Sequence, residues 1–138
     1  MIVNGINIES IYGVTLLEGA YNQLWKLPTR KPGYLKDWSD EHGFEIDPEE
    51  PVVYERLTYS IPMLINANTE SEYWTKLHAF FGFILNKNML TVDIPKRNRR
   101  FVLQHIGFSD YNESIDNHFS TFNWELANDR PNEFIAII

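Results

Sequence analysis

The chain has 138 residues, a formal net charge of −7 and no cysteine. Disulfide scaffolds, thiolate metal sites and cysteine nucleophiles are therefore excluded. Hydrophobic residues make up 43% and charged residues 22%, as in ordinary globular proteins, and the length predicts a single domain over residues 1–138. An aromatic content of 14% favours a β-rich core or aromatic anchors that bind partners.

The first residues lack the basic start and apolar run of a signal peptide. No stretch reaches the roughly 18 apolar residues of a membrane span. We therefore expect a protein that is made and kept in a cytoplasm and that has no membrane partner.

The acidic residues are concentrated in one segment. Residues 37–50 contain seven acids and neither Lys nor Arg, so this segment alone equals the net charge of −7. The rest of the chain is neutral, and a face that follows a phosphate backbone is not expected. Nucleic acid is therefore not a predicted partner.

The N-terminal part predicts short strands. Asn4-Gly5, flanked by Ile2-Val3 and by Ile6-Asn7-Ile8, is a hairpin signal. Residues 12–18 and 21–27 are interpreted as two further strands, separated by a break at Gly19-Ala20.

Residues 28–51 predict a long loop, because Pro and Gly punctuate them and no periodicity persists. Tyr34, Leu35, Trp38, Phe44 and Ile46 recur along this loop, and plain linkers rarely carry such residues. Two readings stay open. The aromatic side chains pack onto the domain's own core, or the loop is an arm that docks onto a neighbouring subunit.

The clearest predicted strand covers residues 52–65, where apolar and polar residues alternate with period two. Pro62 predicts an edge or a bulge at this end of the strand. Its length fits a bent strand at the corner of a barrel or sandwich.

One helix is predicted at about 69–86. Thr69 and Glu72 form a capping-box pattern at its start. Apolar residues follow at helical spacing, which predicts an amphipathic helix that lies on a sheet.

The C-terminal part predicts a hairpin of residues 89–94 and 99–108 with a basic tip, and a last strand at 115–126 with a bulge near Ser120-Thr121. The apolar residues 134–138 either pair as a final strand or insert into a partner. The chain is therefore predicted to adopt an α+β, mainly β fold.

No motif predicts catalysis or a cofactor. The four histidines form no metal-binding pair by spacing, although adjacent strands would bring His105 and His118 together. The acids near Asp37 do not keep the spacing of a calcium-binding EF-hand loop. No metal site, catalytic residue or nucleotide-binding loop is predicted.

The order of these elements, with the segments 11–19, 27–31 and 37–47, resembles that of small tail proteins of tailed bacteriophages and prophages. The likeness is to those of gut Bacteroidetes prophages and, more distantly, to the N-terminal domain of siphophage distal tail proteins. It implies an antiparallel β-barrel or split-barrel with one helix packed against it. A sandwich with the same amphipathic helix is the other predicted fold. It further implies a virion structural protein of the tail, without enzymatic residues, that assembles as rings, often hexameric.

Distal tail proteins carry a further domain after this region, so tail-tube, completion and baseplate-hub roles stay open. The predicted partners are copies of this chain and other tail or baseplate proteins. The predicted subunit-interface residues are Tyr34, Trp38, Phe44, Ile46, Asp40, Glu41, Lys96, Arg97, Arg99, Arg100 and Ile137. A small-ligand-binding barrel and a glycan or cell-wall hydrolase are the alternatives.

Overall fold

The computed structural model describes residues 1–32, 35–37, 44–46, 49, 51–114, 116 and 118–137. Within these residues, the strands are β1 Ile2–Val3, β2 Ile6–Asn7, β3 Val14–Leu16, β4 Leu35–Asp37, β5 Phe44–Ile46, β6 Leu57–Asn66, β7 Met89–Ile94, β8 Arg99–Ser114 and β9 Phe119–Asn128. The α-helices are α1 Ile8–Tyr12, α2 Ala20–Leu24 and α3 Glu70–Leu85. A 3₁₀ turn, Pro95–Arg97, joins β7 to β8.

Seven strands form one antiparallel sheet in the order β2-β1-β7-β8-β9-β6-β3, and the longest helix, α3, packs on it. The prediction of a mainly β, α+β fold with one longer helix on the sheet is confirmed. Of the forms that this prediction allowed, a closed barrel is not adopted, because the sheet is open. Its two outer strands are only two and three residues long, which leaves little edge for closure.

β6 has the predicted alternation, with Tyr59, Ile61, Met63 and Ile65 buried. The predicted start of this strand at residue 52 is wrong, because β6 begins at Leu57. β9 pairs with β6 along its whole length. On the other side, β3 ends opposite Met63, so Pro62 lies where β6 becomes an edge, in agreement with the prediction.

Helix α3 is confirmed together with its N-cap. The Thr69 hydroxyl accepts a hydrogen bond from the Glu72 backbone N–H at 3.2 Å. Glu72 also pairs with Lys76 across one turn at 3.0 Å. The buried stripe of the helix is Tyr73, Leu77, Phe80 and Ile84. This spacing places one face of α3 against the sheet.

Aromatic rings fill the space between α3 and the sheet. The ring of Phe80 lies 6.1 Å, centroid to centroid, from each of the rings of Phe108, Phe122 and Trp124. Phe80 and Trp124 are both 0% exposed. The centre of the fold is therefore a packed core.

The hairpins around Asn4-Gly5 and around residues 95–98 are confirmed. Two other predictions are wrong. Residues 21–27 do not form a strand, because most of this stretch belongs to helix α2 and the turn that ends it. The bulge near Ser120-Thr121 is not found either: β9 pairs with β6 without a break, and the register shifts lie in the opposite strand, β8.

Helix α2 covers the part of the β6 edge that β3 leaves unpaired. The Gln23 side-chain oxygen accepts a hydrogen bond from the Ser60 backbone N–H at 3.2 Å. The Lys26 ammonium group donates to the Thr58 carbonyl at 3.1 Å. Side chains therefore satisfy backbone groups that another strand would otherwise bind.

Residues 28–51 are not wholly without regular structure. β4 and β5 pair as an antiparallel hairpin, with Leu35 opposite Ile46 and Asp37 opposite Phe44. This hairpin is a second sheet, separate from the seven-stranded one.

Among the described residues, no helix has both the length and the hydropathy needed to cross a membrane.

Candidate functional site

Of the four predicted basic residues, Lys96 and Arg97 lie in the turn between β7 and β8, and Arg99 and Arg100 are the first residues of β8. Asn98 ends the turn with a positive φ of 49°. Arg100 lies directly opposite Asp93 in the sheet and donates two hydrogen bonds to its carboxylate, at 2.8 and 3.0 Å. These hydrogen bonds raise the pKa of Arg100. Arg100 is thus paired within its own chain, which reduces the charge that it offers to a neighbour's carboxylate.

Arg99 is packed among aromatic rings. Its guanidinium carbon lies 4.2 Å from the ring centroid of Phe134, 4.5 Å from that of Phe101 and 5.7 Å from that of Trp25. These distances are within the range of cation–π attraction. Its Nε is buried and has no hydrogen-bond partner in the described part of the chain. Burial lowers the pKa of Arg99, because desolvation disfavours the charged guanidinium.

Arg97 joins the same group of rings from the exposed turn. Its guanidinium carbon lies 5.2 Å from the ring centroid of Trp25 and 6.0 Å from that of Tyr21. We call this set the arginine–aromatic cluster. It consists of Tyr21, Trp25, Arg97, Arg99, Phe101 and Phe134.

Three separate parts of the fold build the arginine–aromatic cluster. Tyr21 and Trp25 are four residues apart on α2 and its C-cap, so their side chains lie on one helix face. Arg99 and Phe101 are alternate residues of β8 and face the same side of the sheet. Phe134 comes from the C-terminal segment.

Two hydrogen bonds hold that segment beside β8. The Arg100 backbone N–H donates to the Ile135 carbonyl at 2.9 Å, and the Ile137 N–H donates to the Asn98 side chain at 3.1 Å. Ile135 forms an isolated antiparallel bridge with Arg100. Ile135 and Ile137 therefore lie against their own chain and fix the position of Phe134.

A small cleft of about 170 Å³ opens beside Arg99. Its lining residues are Trp25, Lys26, Leu27, Pro28, Tyr59, Arg99, Pro131 and Phe134. Leu27 and Phe134 are the most exposed large apolar residues in the described part of the chain, at 82% and 69%. The cleft thus combines positive charge with apolar surface that contacts water.

A larger cleft of about 560 Å³ lies on the other side of the C-terminal segment, next to Arg100, Asn128 and Glu133. Its charged groups are paired within the chain. Arg100 binds Asp93, Asp129 binds Arg56 at 2.8 Å, and Arg130 lies 3.7 Å from Glu133.

The structure does not bring His105 and His118 together. The Nδ1 atom of His105 accepts a hydrogen bond from the Trp124 indole N–H at 2.9 Å, and burial lowers the pKa of His105. His118 lies at the turn before β9, whereas His105 pairs with Leu126 near the other end of that strand. The described residues contain no group of three His, Asp or Glu side chains placed to hold a metal ion.

The structure describes only some of the predicted interface residues. Tyr34, Trp38, Asp40 and Glu41 lie outside the described residues. Phe44 and Ile46 lie on β5. Lys96 and Arg97 lie on the exposed turn, and Ile137 is half-buried beside it. The four basic residues therefore lie at the predicted hairpin tip, where Arg100 pairs with Asp93 and both Arg97 and Arg99 lie against aromatic rings, and their role in a subunit interface stays a prediction.

Tyr21, Trp25 and Phe134 were not predicted as parts of a site. Two signals were present. The four-residue spacing of Tyr21 and Trp25 fits one helix face, and Arg99 shares the parity of Phe101 on β8. Neither signal predicts that α2 and the C-terminal segment meet at the β7–β8 turn.

Compared with known proteins, the chain matches no protein family, no curated protein and no solved structure.

Proposed function

We propose that this protein is a structural, non-enzymatic subunit of a bacteriophage or prophage tail, which assembles with copies of itself and with other tail proteins. The sequence resemblance supplies the tail assignment. The observation that carries self-assembly is the β4–β5 hairpin, which forms a sheet of its own. An isolated two-stranded hairpin is marginally stable in water, so an element of this kind gains stability by packing on another surface.

The distribution of charge supports the same proposal. The acidic segment at residues 37–50 includes β5 and part of β4, and the remainder of the chain is neutral. A negatively charged arm on a neutral body favours docking onto a basic surface of a neighbour in a defined orientation. A head-to-tail contact of this type closes into a ring when its rotation allows it.

The exposed apolar side chains are a second support. Leu27 and Phe134 are exposed by 82% and 69%. Single exposed apolar residues are ordinary, but Leu27 and Phe134 line the same cleft. Apolar surface next to arginine and aromatic residues is typical of the central part of protein interfaces.

The experiment is a mass measurement by light scattering over a concentration series, with negative-stain imaging of the largest species. We expect the wild-type protein to form a multimer, imaged as a ring, and a Trp38→Ala/Phe44→Ala variant to remain monomeric. An Ile11→Ala/Leu85→Ala variant is the matched control, because both residues are exposed apolar residues of the body. A wild-type monomer at every concentration, or unchanged assembly of the Trp38→Ala/Phe44→Ala variant, contradicts the proposal.

One observation favours small-ligand binding as a second candidate. The larger cleft, at about 560 Å³, has the size of a small-molecule site. Its charged groups already pair with one another, which leaves few polar groups to orient a ligand. Melting-temperature shifts across a library of small molecules, with the protein monomeric throughout, would support this candidate instead.

A further inference from the structure

We infer that the arginine–aromatic cluster is the docking site for the acidic segment, residues 37–50, of a second copy of this chain, and that Arg97 and Arg99 bind its carboxylates. This inference rests on the proposed function and names the receiving surface for the arm.

Arg99 is prepared for an anion that its own chain does not supply. In the described part of the chain, carboxylates pair with Arg56, Arg100 and Arg130, but with neither Arg97 nor Arg99. The Nε of Arg99 is buried without a partner. An unsatisfied buried donor is unfavourable, and a carboxylate accepts two parallel hydrogen bonds from a guanidinium group. Because Nε itself is buried, a docked Asp or Glu would bind the terminal nitrogens of the guanidinium group and pair a charge that no carboxylate pairs in the described part of the chain.

The rings around the two arginines fix their orientation before any ligand arrives. Arg99 lies over Phe101 and Phe134, and Arg97 lies over Trp25. Stacking on aromatic faces reduces the side-chain freedom that binding would otherwise remove. Arg, Trp and Tyr are also the residue types that dominate the energy of protein interfaces.

The acidic segment is the occupant that the sequence supplies. Seven acids lie in residues 37–50, with no base among them, and this surplus accounts for the whole net charge of the chain. Phe44 and Ile46 lie within the same segment. The segment thus offers carboxylates for the arginines and apolar residues for the surface of Leu27 and Phe134.

The experiment is a charge swap between two variants of the full chain. In Arg97→Glu/Arg99→Glu, the receiving site becomes acidic, and in Asp37→Lys/Asp40→Lys/Glu41→Lys/Glu45→Lys the net charge of residues 37–50 changes from −7 to +1. Each variant alone opposes like charges, whereas in an equal mixture each arm meets a site of opposite charge. We expect light scattering to detect at least about tenfold weaker assembly for each variant alone and recovery of the multimer on mixing.

A Lys76→Glu/Lys87→Glu variant is the matched control, because it reverses two positive charges on and just after α3, away from the cluster. We expect it to assemble like the wild type. Circular dichroism and melting temperatures check that all variants fold. If Arg97→Glu/Arg99→Glu does not fold, the milder variant Arg99→Gln replaces it and peptide binding replaces the assembly measurement. The full-length Arg99→Gln variant and the full-length wild type are then each titrated with a fluorescent peptide of residues 37–50. Binding of that peptide should be about tenfold weaker than to wild type.

The outcomes separate this inference from the proposed function. If the wild type assembles and Arg97→Glu/Arg99→Glu assembles equally well, the docking site is elsewhere and only this inference is overturned. The same holds if mixing restores nothing, or if Arg99→Gln binds the peptide as tightly as wild type. If the wild type itself stays monomeric, the proposed self-assembly is contradicted and the inferred docking site with it. Recovery of the multimer on mixing supports both the self-assembly and the docking site.

Discussion

Phe80 is the residue whose truncation should destabilise the fold most clearly. It is 0% exposed, and its ring contacts Tyr12 of α1 at 5.8 Å, centroid to centroid, in addition to rings of β8 and β9. Replacing Phe with Ala in a core costs about 3–5 kcal/mol, and more where the cavity cannot collapse. Because rings from separate elements border this cavity, we expect a loss of about 4–5 kcal/mol in the free energy of unfolding.

Urea unfolding, followed by circular dichroism, measures this loss. With a slope of about 1.5–2 kcal/mol per M, the midpoint of Phe80→Ala should fall by roughly 2–3 M. Leu85→Ala is the control on the same helix, because Leu85 is 59% exposed and should change stability by less than about 0.5 kcal/mol. If Phe80→Ala does not fold, Phe80→Leu should cost about 1–2 kcal/mol. A Phe80→Ala variant within about 1 kcal/mol of Leu85→Ala would refute the proposed packing.

Three further predictions concern local structure and pH. Gly13→Ala should destabilise the fold by more than about 1–2 kcal/mol, because φ is +68° and the added Cβ would lie 2.9 Å from a backbone carbonyl oxygen. Gly82→Ala in α3 should stabilise the fold by about 0.5–1 kcal/mol, because its added Cβ meets nothing within 4 Å. The two variants should therefore shift the urea midpoint in opposite directions, and equal shifts would contradict this pair of predictions. Thr69→Ala should lower the free energy of unfolding by about 1 kcal/mol, because it removes the N-cap hydrogen bond, whereas Thr69→Ser keeps a hydroxyl and should stay near wild-type stability. Thermal unfolding measures both variants, and unchanged stability of Thr69→Ala would contradict a stabilising role of the cap. Burial lowers the pKa of His105 below its unfolded value near 6.5, so the unfolded state binds more protons and stability should fall as pH drops below about 6.5 towards the folded pKa. His105→Gln should reduce this slope between about pH 7 and pH 5, and an unchanged slope would show that other groups cause it.

Sequence patterns predicted the long elements, since these depend on local periodicity. β6, α3 and the β7–β8 hairpin each carry an alternation or a stripe over six or more residues. α2 was predicted as a strand because its five residues are too few to distinguish helical from extended spacing. So short a helix is stabilised by its packing on β6, and this long-range contact leaves no signal in the local sequence.

The site was predictable only in part, for a related reason. Lys96, Arg97, Arg99 and Arg100 are close in sequence, so a basic turn was visible. Their different roles depend on long-range contacts, such as the stacking of Trp25 on two arginines far along the chain. Arg100 pairs with Asp93 and Arg99 packs on aromatic rings, because consecutive residues of a strand point to opposite faces of the sheet.

The side chains of α2 that cover the β6 edge have a consequence for biosynthesis. Gln23 precedes its partner Ser60 by 37 residues, and Lys26 precedes Thr58 by 32. Because translation proceeds from the N-terminus, the covering helix leaves the ribosome before the strand that it protects. One edge of the newly made strand can therefore be covered in part as soon as it emerges, whereas its other edge stays unpaired until β9 has been made.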